Sequence, residues 1–233
     1  MLFQIDPLYW MIMAPVLLLS LYASFKVKNV FSEYSKERNS ALMTGAEVAE
    51  ALLERNGLSS TIQVVESKGF LSDHYDPTKK IIKLSPEVYN SPSIAAMGVA
   101  AHETGHAIQH AKSYAPLVLR NMMVPLASIG SNLSWIIIIA GFLLQALSLI
   151  KFGILLFSLV VIFQIITLPV EFNASRRAKL MLSEYGIVPS RDIEGVSRVL
   201  TAAALTYVAA AASSIATLLY FLLRSGLIGG RDD

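Results

Sequence analysis

The sequence predicts a mainly α integral membrane protein, with about four transmembrane helices and a cytoplasmic α+β subdomain holding a small β-hairpin or sheet. Composition is the first reason: of 233 residues, 54% are hydrophobic and 15% charged, with a mean hydropathy of +0.55. Soluble domains average about 45–50% apolar and 25% charged. The excess is gathered in long runs, which is the membrane signature. The polar stretches between the runs have helical and strand rhythms of their own. The net charge of +2 is too small to argue for a nucleic-acid partner. With no cysteine in the chain, neither a disulfide framework nor a thiolate metal site is possible, and any metal must rest on His, Asp or Glu.

Residues 7–25 form the first expected span. Its lysines, Lys26 and Lys28, follow the apolar run, and no small-residue cleavage site closes it, so it reads as a retained anchor. Residues 29–56 are polar with helical rhythm. Thr44 and Glu47 have the spacing of a capping box, and Gly57 is a stop. Thr61 to Glu66 reads as a β-branched strand and Ile81 to Leu84 as a second, with the turn chemistry of Gly69, Ser72, Asp73, Asp76 and Pro77 between them. Such an edge strand suits main-chain pairing with an extended peptide, and equally well simple packing on a helix. Ser85-Pro86 and Ser91-Pro92-Ser93 start two helices, the second covering residues 93–112. Residues 122–150 and 153–170 are expected to cross the membrane out and back, with a break at Lys151-Phe152-Gly153. The polar segment 171–198 follows. A last span, 199–223, is rich in small residues, and the tail from Arg224 to Asp233 is expected to be a disordered end. The whole of 1–233 reads as one membrane domain.

Lysine and arginine set the expected orientation. Ten of them lie between Lys26 and Lys112, with Arg120 at the border. Arg176, Arg177, Lys179, Arg191 and Arg198 fill the later polar segment, against Lys151, Arg224 and Arg231 on the other side. Segments 26–120 and 171–198 are therefore expected to share the cytoplasmic side of the cell membrane, with both termini outside.

Within 93–112 lies His102-Glu103-Thr104-Gly105-His106. Two histidines four residues apart fall on one helix face, one turn above the other, and can reach a single zinc ion. Glu103, next to the first, is placed to act as general base on the attacking water. The bland alternative, an ordinary buried helix, would leave a costly unpaired carboxylate. The apolar part of this helix is too short to span, so it belongs outside the hydrocarbon.

A catalytic zinc site needs a third protein ligand and an open position. His110 is two turns from His102, too far to converge on the same ion from one straight helix. A metzincin arrangement needs a further histidine where Lys112 stands, and His74 lies in a turn. Glu171 is the better candidate, since it emerges where the membrane hairpin returns to the side of the zinc helix. Its alternative role is a charge complementing a helix dipole. His74, Tyr75 or Arg176 could donate to the oxyanion.

The zinc motif resembles the gluzincin metalloproteases, and the membrane layout is similar to the HtpX-like and CAAX-prenyl protease group. A closer resemblance is to the YugP-type family of neutral membrane zinc metallopeptidases. It is carried by Gly69-Phe70-Leu71-Ser72-Asp73-His74-Tyr75-Asp76-Pro77, by Leu84-Ser85, by Ala100 to Gln109 and by Pro169 to Arg177. The resemblance implies a zincin-like catalytic subdomain, one Zn2+ on His102, His106 and Glu171, and Glu103 as base. HtpX-like proteins carry an Asp four residues after the ligand Glu, where this chain has Ser175, so the supporting role passes to Asn173 or another residue.

The function expected is a zinc-dependent endopeptidase cutting membrane-associated proteins or peptides at the cytoplasmic face. A zinc-binding scaffold would have no use for Glu103, and a transporter would need charges inside its spans, where this chain has only Lys151. The sequence names neither substrate, regulatory partner nor oligomeric state.

Overall fold

A computed structural model describes residues 6–69 and 72–229. The fold is mainly helical with one small sheet. In chain order the elements are α1 (Pro7–Tyr34), α2 (Gly45–Arg55), β1 (Gln63–Glu66), β2 (His74–Asp76), β3 (Ile81–Leu84), α3 (Pro86–Tyr89), α4 (Ile94–Ala111), α5 (Ala115–Leu143), α6 (Leu147–Glu184) and α7 (Ser190–Arg224). Among the described residues, α1, α5, α6 and α7 are the four helices long and apolar enough to cross a membrane.

The chain divides into two compact units. One takes the chain up to Ala23, Val118–Pro169 and everything from Thr206 on; the other is Ser24–Leu117 with Val170–Leu205.

Among the described residues, the first unit contains helices and no strand. Ile138, Ile154, Phe157, Tyr220 and Phe221 lie in its buried core. Trp135 and Phe221 meet edge to face at 5.2 Å. The Tyr220 hydroxyl donates to the Asp6 carboxylate at 3.0 Å, tying the start of α1 to the end of α7. The out-and-back turn falls at residues 144–146, with Gln145 at φ +53°, and not at Lys151-Phe152-Gly153, which lies inside α6. Gly153 serves packing: a Cβ there would sit 2.5 Å from the Ile138 side chain and 3.2 Å from the Ser134 carbonyl oxygen. A missing side chain lets α5 and α6 approach closely, a use of glycine that sequence alone confuses with chain reversal.

The second unit joins helices to the sheet. Thr44 caps α2 as expected, its side chain accepting from the Glu47 N–H while Glu47 reaches back to the Thr44 N–H at 2.7 Å. The helix buries Val48, Leu52 and Leu53. The sheet corrects the expected hairpin: it has three strands in the order β1-β3-β2. β1 and β3, the two expected strands, pair in parallel, Gln63 opposite Ile81 and Glu66 opposite Leu84. The hairpin is formed instead by β2 and β3, with Tyr75 opposite Ile82. His74 is therefore in a strand and not in a turn. β1 begins two residues late because Thr61 and Ile62 still donate to the Leu58 carbonyl, at 3.0 Å each. Of the 28 residues from 29 to 56, α1 takes those up to Tyr34 and α2 the last turns, with Arg38 bridging Ser93 in between. Ser93 caps α4, accepting from the Ala96 N–H at 3.2 Å. α4 packs against α2, and Ala95, Met97, Ala100 and Ala101 are wholly buried. Residues 230–233 of the expected disordered end, and Phe70 and Leu71 of the family-like motif, lie outside the described residues.

The position of the turn is testable. Gly153→Val should destabilise the protein by about 1–3 kcal/mol through overpacking. Gln145→Gly should leave stability unchanged or raise it by about 1 kcal/mol, because it relieves a left-handed backbone. Thermal unfolding of both variants in detergent measures the difference.

Candidate metal centre

The second unit builds the candidate centre from α4 and the part of α6 beyond Pro169. α4 carries His102 and His106 one turn apart, and their rings meet edge to face at 4.7 Å. α6 passes through Pro169 without ending and presents Glu171, 2% exposed, to both rings. The Glu171 Oε2 lies 3.2 Å from His102 Nε2 and 3.4 Å from His106 Nε2. The helices meet closely enough because residue 105 has no side chain. A Cβ on Gly105 would fall 2.8 Å from the Ala174 carbonyl oxygen, nearer than real Cβ contacts allow.

One nitrogen of each imidazole is held away from this convergence. His106 Nδ1–H donates to Gln109 Oε1 at 3.0 Å. The Gln109 amide is oriented from its other end, where Nε2 donates to the Val170 carbonyl at 2.8 Å and to Asn173 Oδ1 at 3.0 Å. Asn173 Oδ1 in turn accepts from Arg177 Nε at 2.7 Å, and that guanidinium lies over the Tyr114 ring. Arg177 can only donate and the Val170 carbonyl can only accept, so this chain of bonds leaves the proton of a neutral His106 on Nδ1. His102 Nδ1 is 3.2 Å from Ser175 Oγ. Both Nε2 atoms are thereby aimed at Glu171. Two imidazoles and a carboxylate, with donor atoms all within 4.8 Å of one another, form a group that could hold a metal ion. Tetrahedral zinc at about 2.0–2.1 Å from its ligands separates neighbouring ligand atoms by about 3.3 Å, and both contacts to Glu171 are close to that. The residues fit zinc.

Glu103 is buried beside the cluster and accepts the Tyr75 N–H at 3.0 Å. Asp73, at the entry to β2, accepts from the Ser85 N–H at 2.7 Å. Burial pushes the Asp73 carboxyl above its ordinary range, against the Ser85 hydrogen bonds, and the negative Glu103 pushes the same way as burial. Burial opposes a proton on His106. The hydrogen bond to Glu171 and the charges of Glu103 and Glu171 outweigh it, so that without metal the imidazole titrates above its ordinary 6.5.

The other expected site residues divide. Ser175, one turn on from Glu171 on the same face, meets His102 Nδ1, while Asn173 reaches His106 through Gln109. His74 is exposed, with Nδ1 on the Ser72 carbonyl at 2.7 Å, and Arg176 is exposed about 140° round the helix from Glu171. Neither joins the cluster. His110 bonds to Tyr75. Sequence reasoning gave no role to Gln109 or Arg177, although Gln109, three residues after His106, shares the histidine face.

The chain thus has four candidate membrane helices and a histidine–glutamate cluster that could hold a metal ion, the outline of a membrane metalloprotein. The family model described as "Putative neutral zinc metallopeptidase" matches residues 9–226, and the chain belongs to that family. Among curated proteins, "Putative membrane protease YugP" of Bacillus subtilis (strain 168) is 48% identical over 215 residues, covering 92% of this chain and 94% of that protein. No solved structure matches the chain.

Two outcomes follow from the geometry. Gly105→Ala should push α4 and α6 apart and lower zinc affinity by about 10- to 100-fold, the range seen when groups orienting metal ligands are lost; competition with a chromophoric chelator reads this. Zinc must displace the proton that His106 retains above pH 6.5. Affinity should therefore fall on acidification through and below that range, by about tenfold per pH unit for one displaced proton. Chelator titrations at several pH values check the slope.

Proposed function

We propose that the protein is a zinc-dependent endopeptidase that hydrolyses peptide bonds of membrane-associated proteins at the cytoplasmic face. The observation that carries this reading is the convergence of His102, His106 and Glu171, with the carboxylate of Glu103 beside them. Zinc, when bound there, supplies a Lewis acid for the scissile carbonyl and lowers the pKa of water towards about 7. His102, His106 and Glu171 are the three ligands. Gln109 and Ser175 keep the two imidazoles turned towards the metal. Glu103 takes the proton of the attacking water and delivers it to the leaving amine. Burial of Glu103 and Glu171 excludes bulk water and strengthens every charge interaction at the site.

The spans support a membrane-bound substrate. α6 has 38 residues, about 57 Å at 1.5 Å per residue, against a hydrocarbon core of about 30 Å. A span starting at Leu147 is complete before Glu171, so one unbroken helix carries the ligand out of the membrane. The excess of Lys and Arg in 26–120 and 171–198 assigns that side to the cytoplasm and both termini to the outside.

Glu103→Gln should abolish zinc-dependent cleavage of a quenched fluorescent casein while zinc stays near one per chain. Zinc loss in that variant would make Glu103 a ligand and overturn its role as base. Glu171→Ala should deplete zinc, and full occupancy would remove it from the ligand set. In cells, the Glu103→Gln strain should accumulate uncut membrane proteins by comparative proteomics. An alkaline phosphatase reporter fused after Asp233 should be active, as it is only outside the cytoplasm.

A further inference from the structure

We propose that Tyr75 is a positioning residue for Glu103 and that His110 holds Tyr75 in place. The kinetic part rests on the endopeptidase reading above; the structural part does not. Tyr75 touches α4 at two points. Its backbone N–H donates to Glu103 Oε2 at 3.0 Å, and its hydroxyl lies 2.8 Å from His110 Nδ1, with the two rings 5.8 Å apart. Glu103 and His110 are seven residues apart, two helical turns, so they lie on one face about 10.5 Å from each other. Tyr75 bridges that distance, its main chain at the glutamate and its phenol at the histidine.

The strand behind this contact is slight. β2 is three residues long and, among the described residues, pairs only with β3, since the sheet order β1-β3-β2 leaves it at an edge. The N–H of its central residue points away from the sheet and ends on the carboxylate. A general base works only within hydrogen-bond reach of its proton, and a misplacement of about 1 Å can lower the rate about 100-fold. The place of the Glu103 carboxylate thus depends on where β2 sits along α4. Burial, with the nearby charge of Asp76, pushes the Tyr75 hydroxyl above its ordinary 10.0, so it remains a phenol. A phenol can donate or accept, so it can bond His110 Nδ1 in either tautomer. This gives the third histidine of the helix a task, since the nitrogen it turns inward is engaged by Tyr75. Tyr75 supplies no group to the reacting atoms; it acts through Glu103.

The test uses the full chain in detergent, with Tyr75→Phe, His110→Ala and His110→Gln. Two quantities are read: cleavage of quenched fluorescent casein per bound zinc, and hydrogen exchange of the Tyr75 amide. Tyr75→Phe keeps the backbone N–H and loses only the hydroxyl. It and His110→Ala should lower kcat about tenfold, with KM and zinc content within twofold, and should speed exchange at Tyr75. His110→Gln keeps an amide that can bond the phenol as donor or acceptor, and should restore most of kcat. A merely structural role would lower zinc content or unfolding temperature in proportion to activity, with no recovery in the Gln variant, and that result overturns the proposal. Unchanged kcat per zinc overturns it too, whatever the exchange shows. Should the wild-type protein show no zinc-dependent cleavage, the endopeptidase reading fails by itself. Exchange then decides: faster exchange upholds the bridge between Glu103 and His110, and unchanged exchange overturns it.

Discussion

The candidate centre depends on how closely α4 and α6 can pass. With hydrogen at residue 105, the backbone of Ala174 comes against the helix that carries both histidines. Every other feature of the centre uses the same short distance. Glu171 reaches both Nε2 atoms, Ser175 reaches His102, and Gln109 reaches the Val170 carbonyl. A side chain at that one position would lengthen all of them together. These contacts are therefore not independent stabilising terms, and their energies should not be summed.

The polar network around them is closed. Gln109 is fully buried and uses both ends of its amide, and Asn173 accepts from both Gln109 and Arg177. Such a network rigidifies a site when every member is satisfied and weakens it when one is lost. The buried Glu171 needs partners of opposite charge or a metal to offset its desolvation. His106 meets that need in the metal-free state by holding its proton above the ordinary range, and a cation would meet it when bound.

Much of this was legible because its signals are local. Thr44 with Glu47, Ser93 before Ile94, and the four-residue spacing of the histidines each fix a helix feature over one turn. Glu171 could be picked out because two successive apolar runs, read as a membrane hairpin, would return the chain to the side it left. What stayed hidden is tertiary. β2 has three residues and no alternation to read, and part of its support comes from a glutamate 28 residues further on. Gly153 looks like a turn in sequence, since glycine serves both reversal and close packing and only the neighbouring helix tells them apart. Ser175 was among the candidates for supporting the site, but the sequence could not say which imidazole it meets. Its hydroxyl meets that of His102.

The unit that holds the cluster is made of two separate lengths of chain, Ser24–Leu117 and Val170–Leu205, with α5 and most of α6 between them. This fixes an order of events during synthesis. His106 leaves the ribosome 65 residues ahead of Glu171, and both candidate spans are made in that interval. At about 5–20 residues per second, the histidines wait some seconds for their carboxylate. A nascent chain has only half a binding site, so the ion can be held firmly only after α5 and α6 have been placed. A chain in which only one of these two candidate spans crosses the membrane would leave Glu171 across the bilayer from the histidines. Such a protein could not assemble the three-residue cluster, so correct topogenesis would act as the licence for the activity proposed above.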